Sequence, residues 1–270
     1  MKNLICFIAL LGFAQLSKAQ DFELMRPNIK KKKLRYCTAT REYVNKETQT
    51  AGDVHNYGAW TFNTDGKLAS YERFDDAGKP TLKGKNSYDA QGRITLTEED
   101  NIHIDEHERI IYEYDAKGRL TNKKDYRDEK LLVTYQHHYG DDMLRDSTIW
   151  LDKNNQPELM EYYKYNDAGW KIEQYEKTDN GRADGKTIFE YHEDGTLKDE
   201  ILYDGFGNIF ERMYYNEDGL LIKKEVSYID YQIVYEYFYT KKGVLDYYTK
   251  SQSNQPKYER ISFDWSKKIP

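Results

Sequence analysis

The chain has 270 residues, a formal net charge of −6, 33% charged residues and 26 tyrosines. An acidic balance lacks the electrostatic footprint of a nucleic-acid binder. Leu, Ile, Val and Phe make up only about a fifth of the chain, close to the composition of a disordered polymer, but each tyrosine or tryptophan ring can bury about 150–250 Å², so a thin aromatic core is expected.

Residues 1–19 read as a secretory signal peptide: Lys2, an apolar run from Leu4 to Leu16, then Ser17-Lys18-Ala19 as a small-x-small cleavage site. The run is too short to span a bilayer. An extracytoplasmic protein is therefore expected, in the periplasm, at the cell surface or secreted, and not membrane-spanning. Loss of Lys2 and Lys18 leaves a net charge of −8. Residues 20–35 are expected to be a basic flexible linker, with Lys30 to Lys33 a run that would otherwise suit a polyanion or a membrane surface. Residues 36–270 are expected to form a single domain. Cys6 leaves with the signal peptide, and Cys37 is expected to be a small buried hydrophobe rather than half of an intermolecular disulfide.

Along that domain runs a tandem repeat. Gly66, Gly92 and Gly118 are spaced by 26 residues, as are Gly169 and Gly195, and Gly219 and Gly243 follow at intervals of 24. Met143 fills the gap, and a second series (Gly78, Gly181, Gly207) falls between. The unit is about 12 to 14 residues, the mark of a repeat architecture. Copies read FNTDGKL (62–68), YDAQGRI (88–94), YDAKGRL (114–120), YHEDGTL (191–197), YDGFGNI (203–209), YNEDGLL (215–221) and YTKKGVL (239–245). Each fits a three-residue hairpin loop, with Asp or Asn opening a type I turn and glycine left-handed at a bulge. In that register Tyr114 faces Leu120 and Asp115 faces Arg119. The flanks alternate with period two, as in Tyr231, Ile233, Tyr235, Tyr237 and Tyr239, which predicts antiparallel strands. The expected fold is all-β: a meander of about 14 to 17 strands forming one twisted and curled open sheet, with no helix longer than a turn.

These copies resemble the YD repeats of RHS-type proteins, whose signature is Y-D-x-x-G-R-L, over about residues 60–250. Trp170 departs from it, standing where a basic residue is usual. The resemblance implies a β-repeat architecture. Long members of that family close a shell around a toxin; about 190 residues of repeat are too few for such a shell by this reading, and no toxin-like domain follows. A MORN-like repeat family shares the rhythm and is the alternative relative, implying an antitoxin or interaction protein.

Candidate chemistry is sparse. His103 to His107 reads HIDEH, formally the H-x-x-E-H of inverted zinc peptidases, but that motif needs a helix and the segment lies in register with the repeat. His137 and His138 occupy opposite strand faces. The acidic turns lack the ligand series of a calcium loop. No catalytic residue, metal or cofactor is assigned. The reading is a non-enzymatic scaffold or binding protein acting at the cell envelope through an aromatic sheet surface, with a protein or glycan as partner. The carbohydrate-binding alternative rests on Tyr71, Tyr162 and Tyr214, which by alternation lie opposite the motif tyrosines.

Overall fold

In the 114–120 copy, the Asp115 carboxylate accepts the backbone N–H groups of Lys117 and Arg119 at 2.9 Å and Arg119 Nε at 2.7 Å. These bonds hold the carboxyl below the usual carboxylate range, the Arg119 backbone N–H contributing most. Gly118 takes φ +84°, a conformation in which a Cβ clashes. Tyr114 and Leu120 are direct cross-strand partners, as are Tyr88–Ile94, Tyr203–Ile209, Tyr215–Leu221 and Tyr239–Leu245. Met143 occupies the glycine position with φ +70°.

The computed structural model describes residues 26–178 and 183–268; the expected signal peptide, residues 1–19, and Gly181 lie outside the described residues. Residues 26–32 form a short helix, α1. The strands that follow are β1 (Tyr36–Asn45), β2 (His55–Phe62), β3 (Leu68–Phe74), β4 (Pro80–Tyr88), β5 (Ile94–Asn101) and β6 (Glu106–Tyr114). Next come β7 (Leu120–Arg127), β8 (Lys130–Tyr139), β9 (Arg145–Asp152), β10 (Pro157–Tyr165), β11 (Lys171–Thr178) and β12 (Ala183–Tyr191). The last are β13 (Leu197–Asp204), β14 (Ile209–Tyr215), β15 (Leu221–Ser227), β16 (Gln232–Tyr239), β17 (Leu245–Gln252) and β18 (Lys257–Ser266). Every strand pairs antiparallel with its sequence neighbours, and β1 also pairs with β18 from Tyr36↔Ser266 to Asn45↔Lys257.

That last pairing corrects the expected open sheet. The meander is a closed 18-stranded barrel, and the repeat is long enough to close on itself. Closure removes both edges, which would otherwise present a row of unpaired backbone groups. The 18 strands exceed the expected range of 14 to 17. Residues 26–35 of the expected linker pack against the barrel, with Ile29 at 0% exposure. Asn28 Nδ2 donates to Gly243 O at 3.0 Å, and Lys30 pairs with Asp65 at 3.1 Å. Helix α1 thus bridges the hairpins β2–β3 and β16–β17, where no hairpin joins β18 to β1. Ile29 and Leu34 pack on Cys37, Trp60, Phe62, Val244 and Ile261 to form the main core. Cys37 is fully buried there, with its thiol pushed up chiefly by burial.

The signature residues link one hairpin to the next around the rim that carries Gly66 to Gly243. Five motif tyrosines of this rim share one bond, the hydroxyl donating to the backbone of the strand behind: Tyr88 to Leu68 O (2.7 Å), Tyr114 to Ile94 O (2.8 Å), Tyr139 to Leu120 O (2.8 Å), Tyr191 to Lys171 O (2.7 Å) and Tyr239 to Leu221 O (2.8 Å). Trp265 takes that place in β18, its indole N–H reaching Leu245 O at 2.7 Å. In the closest copies the residue after the glycine covers the next tyrosine ring: Arg93 lies 4.6 Å from the Tyr114 centroid, and Arg119 lies 4.7 Å from that of Tyr139. Trp170 does the same, packing on Tyr191 at 5.3 Å. A Cβ at Gly195 would fall 2.5 Å from the Trp170 ring, so this departure from the signature is matched by the bare glycine beneath it.

Candidate functional site

The three candidate tyrosines are not brought together. Tyr162 and Tyr214 lie on the outer face, on β10 and β14. Tyr71 points inward, contrary to the alternation argument, and is a cross-strand neighbour of Trp60 and Gly84. The bulge explains the difference. Leu68 pairs with Phe62 and Ser70 with Thr61, leaving Ala69 as an extra residue that shifts the parity of everything after it. Tyr162 and Tyr214 precede their turns, where alternation is intact.

Tyr71 is a wall residue. Its hydroxyl donates to the Glu99 carboxylate, and a Cβ at Gly84 would fall 2.2 Å from its ring. Burial pushes its phenol up, with Glu99 adding to the effect. Tyr162 stacks on Tyr175 at 5.1 Å and 16°. Tyr214 donates to Glu225 at 2.7 Å, and the Arg212 guanidinium lies 4.7 Å from its ring centroid.

The outer face carries cross-strand ion pairs: Lys83–Glu72 at 3.0 Å, Lys85–Glu98 at 2.9 Å, Lys164–Glu173 at 2.7 Å and Arg260–Glu42 at 3.0 Å. Stacked and cation–π contacts run between them, including Phe238–Tyr247 at 4.3 Å and Lys186 over Tyr203 at 5.1 Å. Tyr203 faces outward although it is a motif tyrosine. Successive hairpins of a meander turn in opposite senses, so an identical bulged turn aims its Tyr–Leu pair inward at one rim and outward at the other.

The inner face holds the more perturbed chemistry. A chain of hydrogen bonds joins His137 Nδ1 to Thr148 Oγ1 (2.9 Å), Thr148 Oγ1 to the Tyr163 hydroxyl (2.9 Å), and that hydroxyl to Glu161. Burial raises the Glu161 carboxyl, opposed by the Tyr163 hydrogen bond and by Lys171 and Arg145. Burial also raises Glu200 and Asp125 and lowers Lys171, which Glu200 and Glu161 pull back up. His137 is pushed down to about 3, mainly by burial and then by Arg145 and Lys123. Lys224–Glu211 at 2.7 Å and Lys123–Asp125 at 3.1 Å continue the pattern. These groups could hold and exchange protons, yet they are bonded chiefly to one another across the wall. Sequence reasoning missed this network because period two marks a face without saying that it closes around charge.

HIDEH spans a turn and the start of β6, so its histidines do not share a helical face; His107 Nδ1 contacts Asp100 at 2.7 Å. Among the described residues, no group of three His, Cys, Asp or Glu side chains is placed to hold a metal ion.

No protein-family model matches the sequence, and no curated protein does. Among solved structures the chain is similar to a porin-like protein from Bacteroides uniformis, at 9% identity over 86% of this chain and 96% of that one, with a TM-score of 0.43. It is also similar to a chain of the structure titled TcdB2-TccC3-Cdc42, at 14% identity over 86% of this chain, with a TM-score of 0.37; the match spans 16% of that chain's length. Both TM-scores lie below 0.5, so the functional reading rests on this chain's own residues.

Proposed function

We propose that this protein is a water-facing, non-enzymatic β-barrel that acts at the cell envelope as a binding scaffold, presenting its outer face to a protein partner. The observation that carries this reading is the division of chemistry between the faces. The inner titratable groups are bonded chiefly to one another, whereas the outer face spreads charge pairs and aromatic rings of both series over a continuous wall. A membrane-spanning barrel turns an apolar band about 25 Å tall to the lipid, and a basic residue at its midplane costs about 2–4 kcal/mol. Outward Lys83, Lys85 and Lys164 with their acidic partners favour water. Export rests on the signal-peptide pattern of residues 1–19. Kinship with YD repeats is supported by the structural task that each signature position performs.

A glycan partner is the weaker reading. Sugar stacking needs a free ring face, yet the Tyr214 ring has Arg212 and Lys223 against it, and Tyr162 has Tyr175. A photo-crosslinking residue at Tyr162, with one at neighbouring Tyr163 as the inward control, tests the proposal in intact cells. A discrete protein adduct from position 162 and none from 163 is the expected result. Adducts from 163 alone would place recognition inside the barrel and overturn it.

A further inference from the structure

The lysine run at Lys30 to Lys33 has no part in the outer face, and the fold gives it company. Arg35 N donates to Ser266 O at 2.9 Å, which sets Lys267 and Lys268 beside the end of α1. On the other side, the bond from Asn28 to Gly243 O sets the helix against the hairpin that carries Lys241 and Lys242. Lys31, Lys33, Lys241, Lys242, Lys267 and Lys268 are all exposed. Three segments far apart in the chain therefore deliver six exposed lysines to one sector of one rim.

Two features make this more than a solvated charge run. First, of the two hairpins touching the helix, β16–β17 is the copy that has lost its acid, and the acid of the other, Asp65, is paired with Lys30. Turns elsewhere on this rim read Asp115-Ala116-Lys117 or Asn216-Glu217-Asp218, whereas here the turn is Thr240-Lys241-Lys242. Second, the charge is confined to this sector: other turns of the same rim keep acids such as Asp141-Asp142 and Glu217-Asp218, and the opposite rim carries Asp75-Asp76, Asp105-Glu106 and Asp128-Glu129. Strands of about eight residues separate the rims by about 26 Å, roughly three Debye lengths at physiological salt. The acids of the far rim therefore do not cancel the local positive field.

We propose that this basic sector is a docking surface for an anionic lipid membrane. Turns of one type end level with one another at a barrel rim, and a level set of lysines suits a planar array of headgroups. Among the described residues the sector exposes no large hydrophobic side chain, so the contact is electrostatic. Clusters of this size are sufficient for such binding. The barrel axis would then stand away from the membrane, leaving the outer wall free. The lysines and the outer-face tyrosines are different residues, so this proposal and the scaffold reading fail separately.

The test is co-sedimentation of the purified full chain with vesicles of phosphatidylcholine, with and without phosphatidylglycerol, at low and high salt. The expected result is binding to the anionic vesicles alone, lost at high salt. Lys241→Gln with Lys242→Gln should weaken it on the order of thirtyfold, whereas Lys130→Gln on the opposite rim should leave it unchanged. Circular dichroism of each variant confirms that the barrel is intact. Equal binding to neutral vesicles, or none to either, overturns the proposal. So does binding to dextran sulfate without vesicle binding, which makes the partner a soluble polyanion. Salt-sensitive self-association abolished by the same double variant also overturns it, making the occupant the acidic rim of a second copy.

Discussion

Tyr114 shows how much one residue of the repeat holds. It faces Leu120 across its own turn, donates to Ile94 O of the hairpin behind, and lies under the Arg93 side chain. Tyr114→Phe keeps the packing and removes the hydrogen bond, so urea unfolding should show a loss of about 1 kcal/mol. Gly118→Val forces a β-branched residue into φ +84° and should cost about 1–3 kcal/mol. Met143→Gly relieves the reverse misfit, and its midpoint should stay level or rise. At this scale the sequence was legible, since turn, register and facing pairs all follow from residues within one hairpin. Tyr71 was misread because a bulge of one residue, Ala69, leaves no mark in composition.

The inner wall adds a pH dependence. His137 has its folded value depressed from 6.5 to about 3, so the native state binds fewer protons than the unfolded chain in that window, and stability falls as pH drops through it. The raised carboxyl of Glu200 acts in the opposite sense: its native state holds the proton longer, so stability falls as pH rises above 4.5. Denaturation midpoints across pH should therefore decline more gently on the acid side for His137→Gln and more gently on the alkaline side for Glu200→Gln. Slopes indistinguishable from wild type would show that these groups are solvated.

Among the elements, α1 covers the seam between β1 and β18. Its described residues, 26–32, are held by Ile29, buried with Leu34 under the rim. Ile29→Ala should cost about 2–4 kcal/mol, and hydrogen exchange should quicken first in β1 and β18, whose seam the helix covers. Uniform quickening around the barrel would contradict this local role. The lysine run concealed the helix in the sequence, because charge is counted along the chain whereas Ile29 and Leu34 take effect only against a surface supplied by residues 37–68 and 220–261.

For the whole molecule, closure was the part that local reading could not supply. It depends on accumulated twist and on partners such as Thr40 and Ser262, which lie directly opposite each other on β1 and β18 although more than two hundred residues separate them. Nothing in a unit of about 13 residues records whether the first and last strands meet. The Trp265 bond to Leu245 O, which continues the tyrosine series into β18, has no counterpart in the signature and could not be recognised before the wall was seen.

The seam gives the most direct test. In a closed barrel the Cα atoms of an opposed antiparallel pair lie about 4.5–5.5 Å apart, within disulfide reach. The same two positions at the ends of an open sheet of this width would be roughly 80 Å apart, from a strand spacing of about 4.8 Å. Thr40→Cys with Ser262→Cys, oxidised under native conditions and analysed by non-reducing electrophoresis and peptide mass spectrometry, should give an intramolecular 40–262 crosslink in the folded monomer. Free thiols, or crosslinks only between chains, would contradict the closed barrel.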